Sequence, residues 1–245
     1  MTTVQTQPTT GVWDEPQGAT PRGTVILLPG RGETAASYAR LGRRLAADAY
    51  RVRYVPVELD DIAATRAAIE ALLADESLPA PRVLLGSDSG AALAAHLGSE
   101  LSVEGVVLAA IALPSPGNSV PDKAITDWAD EIDARTACPV HRAVLTTDNE
   151  FTRGAITSPL PWNTITLTSA HPTLALHGTA DRITPLAAAR TAYTQSPRTD
   201  VRLIQDGRHD ILNDVAHRSV AATIILFLES LRLSPTLAPV VTTLD

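Results

Sequence analysis

The stretch that most constrains this chain is Arg82-Val83-Leu84-Leu85-Gly86-Ser87-Asp88-Ser89-Gly90-Ala91-Ala92-Leu93-Ala94. An aliphatic run ends at a glycine, three small polar residues and a second glycine follow, and an alanine-rich helical pattern begins. This spacing predicts a strand, a very sharp turn and a helix. The residue at the tip of such a turn is held in a strained conformation, with its side chain projecting into a site. Its neighbours must be small because the backbone folds back on itself. Asp88 occupies the tip.

The same strand-then-helix rhythm runs through most of the chain. Strands are predicted over 24–28, 51–57, 83–85, 105–113, 173–177 and 201–204, and helices over 35–47, 60–74, 89–97, 186–193 and 213–231. Strand runs that are apolar on both faces predict an α/β architecture, a mostly parallel central sheet covered by helices on both faces. Residues 1–22, rich in Thr, Pro and Gly, supply at most one or two short edge strands. A length of 245 residues suits one domain with a well-buried core. Between 114 and 170 the rhythm breaks. That stretch holds an amphipathic helix pattern over 123–134, then Cys138-Pro139-Val140-His141-Arg142 and Ser158-Pro159-Leu160-Pro161-Trp162. An insert above the strand C-termini is expected to form a small lid. The core is then 1–113 with 171–233, and 234–245 is expected to be a disordered tail.

Composition narrows the function classes. The net charge of −7 argues against a nucleic-acid partner. Cys138 is the only cysteine, which rules out an internal disulfide and a cysteine metal cluster. The N-terminus lacks a basic region followed by an apolar run, and no apolar run reaches the ~20 residues of a membrane span. A cytoplasmic enzyme acting on a small molecule, with no cofactor and no metal, is expected. The sequence leaves its oligomeric state open.

Three acid/base groups fall in loops that follow strands: Asp88, then Asp181 in His177-Gly178-Thr179-Ala180-Asp181-Arg182-Ile183-Thr184-Pro185, then His209 in Gly207-Arg208-His209-Asp210-Ile211-Leu212-Asn213-Asp214. This chain order of nucleophile, acid and base resembles that of the α/β-hydrolases, and the resemblance spans about 24–231. The acid and histidine loops resemble those of monoacylglycerol-lipase and lysophospholipase-like members. Pro29-Gly30-Arg31-Gly32-Glu33 resembles their oxyanion loop. The resemblance implies that Asp181 orients His209, that His209 is the general base, and that the backbone N–H groups of Arg31 and Ser89 face the developing negative charge. One such donor is worth about 3 kcal/mol in a transition state.

A tip aspartate changes the chemistry. A carboxylate is already ionised at neutral pH and can attack a saturated carbon, giving an alkyl ester that base-activated water then hydrolyses. Attack on an acyl ester would give a reactive anhydride. An epoxide or alkyl halide is therefore favoured, and the tip resembles those of haloalkane dehalogenases and epoxide hydrolases. The chain departs from both. Ser89 stands where dehalogenases carry a halide-binding tryptophan, and no tyrosine lies in the insert to donate to an epoxide oxygen.

Gly30, Trp128, His141 and Trp162 are candidate substrate-binding residues, with Cys138 beside His141 in the same insert. The Arg31 side chain either binds an anion such as a carboxylate or halide or lies at the surface. His177 reads as a core or supporting histidine, Asp206 as the rival to Asp181, and Asp210 as a helix-end residue. The alternatives are a serine esterase using Ser87 or Ser89, an acid/base lyase or cyclase built on Asp88 and His209, and a binding protein of the same fold.

Overall fold

The computed structural model describes residues 10–114, 125–165, 167, 171–234 and 241. Most of the predicted tail and the start of the 123–134 helix pattern lie outside the described residues. In chain order the elements are β1 (Val12–Trp13), β2 (Gly23–Leu28), α1 (Ala35–Ala47), β3 (Tyr50–Tyr54), α2 (Ile62–Ala74), β4 (Arg82–Ser87), α3 (Ser89–Gly98), β5 (Gly105–Ala109), α4 (Trp128–Arg135), α5 (Pro139–Thr147), β6 (Thr173–Gly178), α6 (Leu186–Tyr193), β7 (Thr199–Ile204) and α7 (His217–Leu233).

The strands form one sheet in the order β1-β3-β2-β4-β5-β6-β7. Among the described residues, only β1 is antiparallel. The aliphatic runs of β2, β4 and β5 are buried along almost their whole length because both faces are covered. On one face α1 and α7 bury Leu41, Leu45, Ile224 and Phe227 against Leu27, Leu85 and Leu176. On the other, α2, α3 and α6 bury Ile69, Leu93 and Ala189 against Ile26, Leu84 and Val106. The outermost strand, β7, leaves Val201 and Leu203 partly exposed, and Asp200 and Arg202 put charge on that edge.

Among the core elements, two boundaries differ from the sequence reading by four residues, each for a local reason. β5 ends at Ala109 rather than 113. Ala110 takes φ 44, and the next amides leave the ladder, with Ala112 N–H donating to the Asp88 carbonyl at 3.0 Å. The last helix starts at His217 rather than 213. The segment before it is turns, with Asn213 N–H donating to Asp210 and His217 N–H to Asp214, and the Asp214 carboxylate is held by Thr136, Ala137, Cys138 and Arg208. In the insert, α4 begins at Trp128, where the Asp127 side chain caps Asp130 N–H at 2.9 Å. The insert also holds α5, started by Pro139 at its first turn, which the sequence reading did not anticipate.

β4 is the central strand, and the turn after it is packed without slack. A Cβ on Gly90 would lie 2.3 Å from the Leu28 carbonyl oxygen and 2.5 Å from that of Pro29; one on Gly86 would lie 2.2 Å from the Gly90 oxygen. These neighbours are backbone and cannot rotate away. Gly90→Ala is expected to destabilise the fold by about 3 kcal/mol, the upper end of the range for overpacking. Urea denaturation measures it.

Candidate active site

Asp88 sits between β4 and α3 with φ 50 and ψ −116. An L-residue adopts this backbone only when its surroundings enforce it. Here the Asp88 N–H donates to Ala109, and its carbonyl accepts from Ala91, Ala92 and Ala112 at 3.0 to 3.2 Å. Its side chain makes no helix-capping bond. The carboxylate points instead into a buried polar centre and is 1% exposed.

The loops after β6 and β7 bring Asp181 and His209 to it. His209 Nε2 lies 3.1 Å from Asp88 Oδ1, and Nδ1 lies 2.8 Å from Asp181 Oδ2. Asp181 is oriented by its other oxygen, which accepts from the Ile183 and Thr184 amides at 2.8 and 2.9 Å. His209 is fully buried. Burial is the largest influence on its proton and disfavours it, but the charges and hydrogen bonds of Asp181 and then Asp88 outweigh that and raise its pKa to about 10. At neutral pH both ring nitrogens carry protons and donate to the two carboxylates.

The loop after β2 supplies the fourth member. Arg31 donates to Asp88 Oδ2 from its backbone N–H at 2.9 Å and from Nε at 2.8 Å, and to Oδ1 from Nη2 at 2.7 Å. With His209, four donors fill the roughly four acceptor sites of an ionised carboxylate. Burial alone would raise the Asp88 pKa, but Arg31 first and His209 second hold it well below the usual carboxylate range. The Arg31 N–H, expected to face the position of developing charge, thus faces the tip carboxylate itself. Its side chain is neither at the surface nor free for another anion. Ser89 is buried in the first turn of α3. Gly30 lies so close that a Cβ there would come within 2.9 Å of Asp88 Cβ.

A second polar layer lies beneath. Gly30 N–H donates to Glu33 Oε2 and Tyr38 Oη, each at 3.0 Å, and Tyr38 also donates to Glu33. Burial, reinforced by the charge of Asp210, raises Glu33 to about 8, so it is mostly protonated at neutral pH. Arg135 of α4 is fully buried. It donates to Glu131 at 3.0 Å and to the Arg31 carbonyl at 2.7 Å, and its Nη1 lies 3.5 Å from Asp210 Oδ1 and 3.9 Å from Glu33 Oε1.

Asp210 is therefore a buried partner of Arg135 and of His141 Nε2, at 3.1 Å, rather than a helix-end residue. His141 belongs to this layer. Cys138 precedes α5, facing Arg40. Glu33, His141 and Asp210 could together offer three ligand atoms within 4.8 Å of one another. The cation between the two carboxylates is the Arg135 guanidinium.

Of the remaining candidates, His177 touches this centre through Asp181, with Nε2 3.5 Å from Oδ2, and the others fall outside it. Trp128 packs on Phe151 with its ring under Arg153. Trp162 packs against the α2, α3 and α6 face of the core. His177 is held by Tyr193 and the Thr184 carbonyl, and burial lowers its pKa, as suits a neutral supporting histidine. Asp206 is exposed at φ 55. Sequence reasoning missed Glu33, Tyr38 and Arg135. A lone arginine in an insert carries no pattern, and only its full burial shows that carboxylates must surround it.

No family model matches the sequence, and no curated protein matches it. Solved structures do. A monoglyceride lipase from Saccharomyces cerevisiae superposes with a TM-score of 0.65 over 90% of each chain at 14% identity. A putative non-heme bromoperoxidase, BpoC, from Mycobacterium tuberculosis gives 0.66 over 90% of this chain and 95% of that one at 15% identity. The fold is that of the α/β-hydrolases. An esterase from a Rhodococcus species gives 0.60 over 85% and 91% at 19% identity. In α/β-hydrolase terms, Asp88 stands at the turn between the central strand and its helix.

The proton on His209 is testable. Nitrogen-15 NMR at pH 7.5 is expected to show a doubly protonated His209 ring, and Asp88→Asn to lower its titration midpoint from about 10. Because the folded pKa is raised from 6.5, the stability it contributes is full below pH 6.5 and is lost as pH rises toward 10. His209→Gln is expected to flatten the fall in melting temperature over that window.

Proposed function

We propose that this chain is a hydrolase in which Asp88 attacks a saturated electrophilic carbon, with an epoxide as the substrate class. The observation that carries the reading is the Asp88–His209–Asp181 line at 3.1 and 2.8 Å, with an aspartate at the tip. The Asp88 oxygen forms a bond to an epoxide carbon, and the carbon–oxygen bond breaks with its electron pair on the ring oxygen. That alkoxide takes the Nε2 proton of His209. Esterification has removed the Asp88 charge that helped to hold this proton, so His209 is left neutral beside Asp181. It then accepts a proton from water, which attacks the carboxyl carbon of the ester. Collapse releases the diol and restores both the carboxylate and the imidazolium.

The resting proton favours an epoxide over an alkyl halide, because halide departure leaves no alkoxide to consume it. Arg31 supplies charge stabilisation where the chain lacks the tryptophan or lid tyrosines of related enzymes. All four acceptor sites of Asp88 are filled at rest, so attack requires the guanidinium fork to release an oxygen. The insert bears on this step, since Arg31 Nη1 also donates to the Ser158 carbonyl at 2.7 Å. This contact supports a lid role for the insert.

The lipase and esterase names of similar structures suggest a serine esterase as the second reading. Ser87 and Ser89 flank the tip and are buried. Both nitrogens of His209 are already taken by carboxylates, which leaves a serine without its base.

A single turnover with styrene oxide in water enriched in heavy oxygen separates these readings. Label is expected in the Asp88 side chain on peptide mass analysis. An unlabelled Asp88 with an acylated Ser87 or Ser89 after exposure to an activated ester would overturn the reading. Asp88→Asn is expected to lower turnover on the order of 10⁴-fold or more, the scale of losing a nucleophile. Arg31→Lys keeps the charge but not the two-point fork, and is expected to lower kcat more than it raises KM.

A further inference from the structure

Along α1, three arginines fall at positions i, i+3 and i+4: Arg40, Arg43 and Arg44. They share one helical face, where like charges disfavour the helix. Arg218 of α7 stands across from them. With a floor of Leu41 and Leu212 they bound a cavity of about 540 Å³, a volume typical of small-molecule sites.

Several half-buried arginines answer to a carboxylate: Arg22 to Glu229, Arg51 to Glu15, Arg53 to Asp14, Arg208 to Asp133. Arg40 donates to the Asn213 carbonyl and toward Cys138 Sγ. Among the described residues, Arg43, Arg44 and Arg218 have no carboxylate, carbonyl or ring partner. Among the described residues, no acidic one lines the cavity. The histidine in its wall, His217, also registers this field. After burial, the charges of Arg40 and Arg218 are what most disfavour its proton, with those of His141 and, in the opposite sense, Asp214 facing it too. A cationic cavity with an apolar floor, in a chain of net charge −7, is a local feature rather than a reflection of overall basicity.

We propose that this cavity binds a phosphate monoester with a small apolar group. The arginine forks match phosphate oxygens in pairs, and the leucine floor takes the carbon portion. Charge decides for phosphate over a simple carboxylate. A phosphate monoester brings nearly two negative charges at neutral pH, whereas a monocarboxylate would balance one arginine of four. The site does not depend on the chemistry assigned to Asp88. The Arg40 bond to Asn213 ties its wall to the loop that carries His209.

Calorimetric titration of the full chain at fixed ionic strength tests this. The probes are n-butyl phosphate, inorganic phosphate, sodium sulfate, and phosphatidylcholine vesicles with and without phosphatidic acid. One butyl phosphate per chain is expected to bind, more tightly than inorganic phosphate and more tightly than sulfate. The double variant Arg43→Ala/Arg218→Ala, exposed at both positions and checked for folding by circular dichroism, is expected to weaken binding roughly tenfold or more. Butyl phosphate binding without vesicle binding identifies a soluble ester as the source. Binding only to phosphatidic acid vesicles, lost in the double variant, identifies a lipid headgroup. Failure of both probes to exceed sulfate, or equal binding by the folded double variant, overturns the proposal.

Discussion

Asp88 is buried with its charge, and the centre of the molecule is arranged so that it can be. An isolated carboxylate in such a place would take up a proton. Arg31 and His209 instead hold it ionised, and Asp181 holds the histidine in turn. The four groups form one alternating line of charge: guanidinium, carboxylate, imidazolium, carboxylate. Removing any one leaves a buried neighbour uncompensated, which is more costly than the pair itself is stabilising.

The backbone around that line has little freedom. The turn after β4 places Asp88 in a conformation that costs on the order of 1–3 kcal/mol. The amides and carbonyls around Ala91, Ala92, Ala109 and Ala112 over-determine it. The Gly30–Arg31 segment is fixed from below by Glu33 and Tyr38, and from the insert by Arg135, which binds the Arg31 carbonyl. The same residue's carbonyl accepts the Asp210 N–H at 2.8 Å. One arginine from α4 therefore braces the two loops that meet Asp88 from opposite sides. The insert is part of the site's architecture, and a shift of α4 would be felt at both Arg31 and His209.

Electrostatics set how such a site could act. With His209 protonated at rest, the histidine is first an acid, and becomes a base only when the neighbouring charge on Asp88 is cancelled. In the proposed reaction, forming the ester is itself that cancellation, so the first step prepares the catalyst for the second. The Glu33 carboxyl, mostly neutral at pH 7, keeps the lower layer from adding another full negative charge beneath Asp88.

The strand, turn and helix around Asp88, the sheet covered on both faces, and the order of the three acid/base loops were all legible in the sequence. They depend on local pattern: aliphatic runs, glycine spacing, helical periodicity. Boundaries failed where a residue's partner lay elsewhere, as at Ala110, which leaves β5 early, and at 213–216, where Asp214 is held by Thr136, Ala137 and Cys138 between α4 and α5. The Arg31 fork, 57 residues from Asp88 in sequence, and the His209 contact, 121 residues away, were decided by the tertiary structure alone. So was the burial of Arg135 among three acidic side chains. A buried charge takes its protonation state from whatever lies within a few ångströms, and chain order does not record those distances.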